Sequence, residues 1–149
     1  MKFEDVMLDL AWRRFGDLWN DKREVETKAS ILLTANGVLL GFVANAWSML
    51  NVWLATVGII LIWFSAMFCV ISLKTRKYIE IGILEAWDEL SDLFDDLEKV
   101  KLKIFSALGS AERHNRALVA KASKWYSRAN TTFLLAMAVI IVSLFLNVG

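Results

Sequence analysis

Proline is absent from this chain of 149 residues, and glycine is sparse, with seven residues. Because proline punctuates loops and ends helices, its absence favours long helices joined by short turns. The chain also has a single cysteine, Cys69, and a single histidine, His114. One cysteine permits no intramolecular disulfide, and these two side chains cannot complete the ligand set of a zinc site. The sequence therefore predicts neither a metal nor another cofactor.

Charge is missing from two long stretches, residues 29–73 and 129–149, although the whole chain has 17 basic and 16 acidic residues. A helix needs about 20 apolar residues to cross a hydrocarbon core of about 30 Å. The first stretch suits two crossings and the second suits one, with a hairpin turn near 47–51. We expect transmembrane helices at about 30–48, 52–73 and 129–148, because unpaired strand backbone in lipid is too costly.

The predicted fold is an all-α integral membrane protein with three transmembrane helices and cytoplasmic amphipathic, coiled-coil-like helices. Four parts follow from the charge pattern. They are an N-terminal amphipathic helix at 1–28, a transmembrane hairpin at 29–73, a cytoplasmic helical region at 74–128 and a third transmembrane helix at 129–149. The mixed charges of residues 1–28 argue against a cleavable signal peptide, so the first span is expected to be an uncleaved anchor.

Basic residues flank the predicted spans on one side only. They precede the first span, follow the second directly and precede the third, whereas the hairpin carries no charge. The positive-inside rule places basic flanks in the cytoplasm. The sequence thus predicts a multi-pass protein of the cell inner membrane, with a cytoplasmic N-terminus and an external C-terminus.

The cytoplasmic region contains a heptad pattern of apolar residues between Ile83 and Ile104. Apolar residues that alternate at three and four positions predict a helix packed in a bundle or coiled coil. Gly109 and Ser110 resemble a helix stop and restart, with Ser110 as N-cap. A fold-back there could pair the acidic face before residue 99 with the basic face after it.

Small and polar residues line one face of each predicted span. Such faces either pack within one three-helix bundle or form a pore or a subunit contact. Asn36 lies on the other side of the same helix as Gly41, which favours oligomerisation, since a buried amide needs a partner. The residues of this possible pore or helix interface are Thr34, Asn36, Gly37, Gly41, Asn45, Ser48, Thr132 and Ser143.

A basic set follows the acidic stretch, and it has two interpretations. Surface lysines and arginines control topology and attract anionic lipids, whereas converging ones bind a phosphate-bearing ligand. The set, a possible anionic-ligand or lipid contact, consists of Lys99, Lys101, Lys103, Arg113, Arg116, Lys121 and Lys124.

The sequence lacks the motifs that are typical of several functional classes. The predicted spans contain no acid, base or histidine, which argues against ion-coupled transport. We find no nucleophile–base pair, no P-loop and no GxGxxG, so the sequence gives no support to an enzyme. The nearly balanced charge gives no reason to expect direct nucleic-acid binding.

The segment from Glu26 to Gly37, with the letters ETKASILLTANG, resembles the start of the first membrane helix in a group of small prokaryotic membrane proteins. These are the Pycsar-type transmembrane effectors and the related SLATT-type proteins of nucleotide-signalled antiphage systems. The resemblance implies a homo-oligomer that compromises the membrane in response to a nucleotide second messenger made by a partner enzyme. It assigns Glu26, Lys28 and the adjoining Ala29 to the start motif at the cytoplasmic rim, and Asn36 to the helix interior.

Two functions therefore stay open. The first is an oligomeric membrane effector that forms a channel or disrupts the inner membrane in antiphage defence, triggered by a nucleotide. The second is a membrane-anchored scaffold whose cytoplasmic helices dock a soluble partner.

Overall fold

Three α-helices make up most of the structure, a computed structural model that describes residues 3–74 and 97–147. Helix α1 is Phe3–Asn45, α2 is Val52–Leu73 and α3 is Leu97–Asn147. By length and composition, all three are long and apolar enough to cross a membrane. The all-helical architecture predicted from the sequence is confirmed for the described residues.

A short turn joins α1 to α2 where the sequence predicts a hairpin. Helix α1 ends at Asn45, slightly before the predicted end at 48, and Trp47–Met49 form one 3-10 turn. Asn51 caps α2: its backbone is extended and its side-chain oxygen accepts a hydrogen bond from the Leu54 amide at 3.4 Å. Because an N-cap satisfies an amide that a helix start leaves unpaired, α2 begins at Val52, as predicted.

The described residues form two compact units. The first, here called the polar unit, comprises residues 3–23 and 97–120, and the second, the apolar unit, comprises residues 24–74 and 121–147. Helices α1 and α3 each contribute to both units without a break. The predicted N-terminal amphipathic helix and the predicted first span are consequently one helix.

The packed face of α2 in the apolar unit follows a heptad pattern. Its buried residues alternate at three and four positions and are Ala55, Gly58, Ile62, Ser65, Cys69 and Ser72. On α3, buried small residues recur every seven positions at Ala122, Ala129, Ala136 and Ser143, and the larger Ile140 is buried as well. This spacing is that of helices crossing at about 20°, and small side chains let their backbones approach closely.

Helix α1 contributes a third packed face to the same unit. Its buried residues in this unit are Ala29, Leu32, Asn36 and Val43. Val43 belongs to a cluster with Ile62 and Ile140, and Leu32 belongs to a second cluster with Cys69 and Ala129. The apolar unit is therefore a bundle in which every helix meets the other two.

The polar unit has buried residues of its own. Leu18 on α1 and Val100, Leu108, Ala111 and Asn115 on α3 are buried. The predicted heptad pattern between Ile83 and Ile104 reaches the described residues only from position 97 onward, and the rest of it lies outside them. Its described end agrees with the pattern, since Val100 is buried and Ile104 is half-buried.

The predicted break at Gly109 and Ser110 is wrong. Helix α3 continues through both residues, and the Ser110 hydroxyl donates to the Ala107 carbonyl at 2.9 Å instead of capping a new helix. A glycine inside a helix costs only about 1 kcal/mol relative to alanine, and packed residues on both sides of Gly109 offset that cost. The predicted fold-back at this point is therefore wrong as well.

Candidate functional site

A polar layer crosses the apolar unit and joins its three helices. The Asn36 amide nitrogen on α1 donates to the Ser65 hydroxyl on α2 at 3.0 Å and to the Leu32 carbonyl at 2.9 Å. The Ser65 hydroxyl donates in turn to the Ala129 carbonyl on α3 at 2.9 Å. Asn36 and Ser65 are 1% and 0% exposed, respectively. The sequence places Asn36 among possible pore or interface residues, and the structure puts it in an interface within one chain.

The layer leaves one atom without a partner. The Asn36 side-chain oxygen is buried and accepts no hydrogen bond from the described residues. A buried acceptor of this kind costs about 1–3 kcal/mol. The bundle therefore tolerates Asn36 at a net cost, because its two donated bonds satisfy only the amide nitrogen.

Two further serine hydroxyls form hydrogen bonds between α3 and either α2 or its N-cap residue, Asn51. Ser72 donates to the Ala122 carbonyl at 2.9 Å, and Ser143 donates to the Asn51 carbonyl at 3.1 Å. Moving seven residues along α2 from Ser72 to Ser65 thus corresponds to moving seven residues along α3 from Ala122 to Ala129. The two helices are antiparallel and keep one register over their whole contact.

Gly58 occupies the level of this register between the Ser65 and Asn51 contacts. A β-carbon added to Gly58 would lie 2.8 Å from Ile140 Cγ1 and 3.9 Å from the Ala136 carbonyl oxygen. The absence of a side chain at this position therefore sets the distance between α2 and α3.

A second set of small and polar residues, on α1 and on the turn that follows it, faces outward. Thr34, Gly37, Gly41, Asn45 and Ser48 are all exposed. A β-carbon added to Gly37 or Gly41 would meet nothing within 4 Å. The sequence predicts these five residues, here called the glycine face, on one side of the first span together with Ala44, and the structure leaves them uncovered by the rest of the described chain.

Polar side chains on the outer surface bond to their own helices. Thr34 donates to the Ser30 carbonyl at 3.1 Å, Asn45 donates to the Gly41 carbonyl at 3.0 Å, and Thr132, which is half-buried, donates to the Arg128 carbonyl at 2.8 Å. Such bonds back to the preceding turn let a hydroxyl or amide lie in an apolar environment.

The predicted basic set does not converge on one point. Lys99, Lys103, Arg113 and Arg116 are exposed and Lys101 is half-buried. Arg116 forms an ion pair with Glu112 at 3.1 Å. From Lys99 to Arg116 the helix rises about 26 Å, which exceeds the size of a phosphate group. Only Lys121 and Lys124 belong to the apolar unit.

Two residues absent from the predicted set lie beside those lysines. The Arg128 guanidinium lies over the Trp125 ring, 4.7 Å from its centroid, and the Trp125 ring is 5.5 Å from that of Phe68 on α2. The arginine three residues after a tryptophan, just before a charge-free stretch, is the sequence signal that could have identified this pair.

The three residues of the start motif at the first span differ in their burial and in their contacts. Lys28 pairs with Glu24, one turn earlier on α1, while Glu26 is half-buried and Ala29 is fully buried. The hydrogen bond and charge of Lys28 lower the pKa of Glu24, and Glu24 raises the pKa of Lys28. Both side chains are exposed, so this pair is a surface contact.

Within residues 3–74 and 97–147, no group of three His, Cys, Asp or Glu side chains could hold a metal ion. Comparison of the chain with protein-family models, curated proteins and solved structures found no match.

Proposed function

We propose that this chain is a multi-pass membrane protein that self-associates through the glycine face and acts as an oligomeric effector that forms a channel or disrupts the inner membrane. The observation that carries the proposal is the exposure of Gly37 and Gly41 in a charge-free helix segment. Three apolar helices of sufficient length support membrane insertion.

The glycine pair favours a helix partner over lipid. Each glycine costs about 1 kcal/mol of helix stability relative to alanine, and within the described chain neither one allows a close backbone contact in return. A GxxxG pair lets a second helix approach closely, and van der Waals packing then stabilises the contact. A second copy of the chain carries the same face and is available wherever this protein is made.

A conducting path, in this proposal, runs between chains. The buried polar groups Asn36, Ser65 and Ser143 are engaged in bonds between helices of one chain. The exposed ones, such as Thr34 and Asn45, belong to the glycine face. Since residues 29–73 carry no charge, such a path lacks the charged rings that select among ions, and we expect weak ion selectivity.

The resemblance to antiphage effectors supports the biological setting. In this proposal the N-terminus is cytoplasmic, the C-terminus is external, and a nucleotide made by a partner enzyme triggers association. Reporter fusions test the orientation, with the N-terminal reporter expected inside and the C-terminal one outside. A panel of 3′,5′-cyclic mononucleotides, added to the purified protein, tests the trigger by a change in subunit number.

Dye efflux from liposomes tests the central proposal. Wild-type protein is expected to release a small dye, and Gly41→Leu is expected to reduce release at least about tenfold, the effect of a loss of about 1.4 kcal/mol in association. Gly16→Leu is the matched control, because Gly16 is also exposed with nothing within 4 Å of an added β-carbon but lies outside the apolar unit. Equal release by wild type and Gly41→Leu contradicts the proposal.

A scaffold is the second candidate, and one observation favours it. Helices α1 and α3 continue well beyond the charge-free stretches, into residues 3–23 and 97–120. Those exposed helical segments offer a surface for a soluble partner. A wild-type protein that inserts into liposomes, releases no dye with or without the cyclic mononucleotides, and stays monomeric favours the scaffold.

A further inference from the structure

The polar layer fixes the levels of the three helices relative to one another in the apolar unit. Asn36, Ser65 and Ala129 lie at one level, because hydrogen bonds join them directly. Lys28 precedes Asn36 by eight residues and Lys74 follows Ser65 by nine, so both lie about 12–14 Å from that level along the helix axes. These two lysines mark where the charge-free segments of α1 and α2 begin and end.

Helix α3 carries its basic residues further toward the hairpin end of the bundle. Arg128 immediately precedes Ala129, so its backbone lies about 10–12 Å beyond the level of Lys28 and Lys74. Lys124 lies about 5 Å beyond that level by the same rise per residue. Positive charge on α3 therefore lies beside the charge-free segments of α1 and α2.

Three of these basic residues share one side of α3. Lys121, Lys124 and Arg128 are separated by three and four positions, which places them on one helix face, and all three are exposed. Glu112 is the last acidic residue of the sequence. Among residues 3–74 and 97–147, no carboxylate forms an ion pair with any of the three.

Trp125 holds the innermost of these charges in place. The Arg128 guanidinium lies over the Trp125 ring, which in turn packs against Phe68. Helical side chains point toward the N-terminus of their helix, so Arg128 reaches back toward the level of Lys124. Trp125 and Phe68 are half-buried, so part of this aromatic surface beside the line of cations is open to an acyl chain.

We propose that Lys121, Lys124, Trp125 and Arg128 form a binding site for the phosphate headgroup of an anionic phospholipid. This inference rests on the membrane insertion in the proposed function but on neither self-association nor efflux. The charges attract the phosphate. These charges lie beside the charge-free segments and next to the aromatic surface of Trp125 and Phe68. Both features favour a headgroup attached to acyl chains over a soluble anion.

Native mass spectrometry of the detergent-solubilised full-length protein tests the site. Phosphatidylglycerol and phosphatidylcholine are added in equal amounts, and the ratio of retained lipids is measured. Arg128→Gln is expected to lower the preference for phosphatidylglycerol about fivefold, and Lys124→Gln similarly, as for the loss of one interfacial cation. Arg128→Lys is expected to retain most of the preference, which separates lost charge from lost folding.

Lys103→Gln is the matched control, because Lys103 is an exposed cation on the same helix, 18 residues or about 27 Å before Lys121. Its lipid preference is expected to stay within about twofold of wild type, since a cation distant from the site contributes little. An unchanged preference in Arg128→Gln overturns the site. So does displacement of phosphatidylglycerol by millimolar inorganic phosphate or ATP, which assigns the face to a soluble anion.

Flotation of wild-type proteoliposomes separates failure of this inference from failure of the proposed function. Protein that does not float with liposomes contradicts insertion and the lipid site together. Protein that floats, yet binds both lipids equally, contradicts the lipid site alone. Protein that floats, prefers phosphatidylglycerol and releases no dye supports the lipid site and contradicts the effector.

Discussion

The inner and outer faces of the apolar unit contain the same kinds of residue. On the inner face these residues contact another helix, whereas on the outer face they are exposed. Inside, Gly58 sets the contact between α2 and α3, and Asn36 joins α1 to α2. Outside, a β-carbon added to Gly41 would meet no atom of the described residues within 4 Å, and Asn45 bonds to its own helix. Small and polar residues in an apolar helix thus mark a helix contact in general. The structure distinguishes the residues that contact another helix of the same chain from those that stay exposed.

The glycines give the largest expected contrast between the two faces. Gly58→Leu places a side chain where even a β-carbon lies 2.8 Å from Ile140, and we expect a loss of about 1–3 kcal/mol in stability. Gly41→Leu meets open space and replaces glycine with a better helix former, so its monomer is expected to be at least as stable as wild type. Thermal unfolding of both variants in detergent, followed by circular dichroism, makes the comparison. Equal destabilisation by the two substitutions contradicts the assigned faces.

The next largest loss of stability is expected when the buried hydroxyl of Ser65 is removed. Ser65→Ala removes the acceptor of the Asn36 amide and the donor to the Ala129 carbonyl, so we expect a loss of about 1–2 kcal/mol. Thr131→Ala is the outer counterpart, because Thr131 is exposed and its hydroxyl donates to the Ser127 carbonyl of its own helix. Its thermal midpoint is expected to match wild type. An unfolding midpoint for Ser65→Ala equal to that of wild type contradicts a stabilising role for the polar layer.

Asn36 offers a prediction of opposite sign. The buried Asn36 oxygen accepts no hydrogen bond from the described residues, and such an oxygen destabilises the fold by about 1–3 kcal/mol. Leucine at this position removes that oxygen and loses an interhelical bond of about 0.6 kcal/mol. Asn36→Leu is therefore expected to stabilise the chain by about 1 kcal/mol, whereas Asn45→Leu is expected to change little. The measurement is the unfolding midpoint in detergent. A destabilised Asn36→Leu variant indicates that the oxygen has a bound partner, such as water.

The smallest effect is expected at the surface pair of Glu24 and Lys28. The lowered pKa of Glu24 means that its contribution is present above its unfolded pKa and is lost as pH falls through the folded value. The raised pKa of Lys28 means that its contribution is lost as pH rises through its own folded value. Because both groups are exposed, Glu24→Gln is expected to shift the midpoint at neutral pH barely beyond error, and not at all in strong acid. A large shift at neutral pH contradicts a surface role.

The sequence predicted the helical architecture because charge and apolar length suffice for it. The bounds of α2 follow from Asn51, which caps the helix, and from Lys74, which ends the charge-free run. The break at Gly109 was wrongly predicted, because local signals of a helix end are weaker than the packing of Leu108 and Ala111 on either side.

The polar layer was harder to predict than the helices. Ser65 and Ser72 bond to backbone carbonyls of alanines, and any residue provides such a carbonyl. The face of α1 that packs could not be predicted either, because Asn36 and Gly41 lie on different sides and both fit a helix contact. The Trp125–Arg128 pair has a signal in its spacing, but the predicted basic set does not include it.

Disulfide cross-linking in the membrane tests the central claim, that the glycine face meets a second copy of the chain. In a Cys69→Ala background, a cysteine is introduced at Ala44, beside the glycine face on α1, or at Val57 on α2. Both residues are exposed, and the register of the polar layer puts them at one level of the bundle. If this claim holds, Ala44→Cys gives cross-linked dimers and Val57→Cys gives few. Equal cross-linking at both positions, or none at Ala44→Cys, contradicts it.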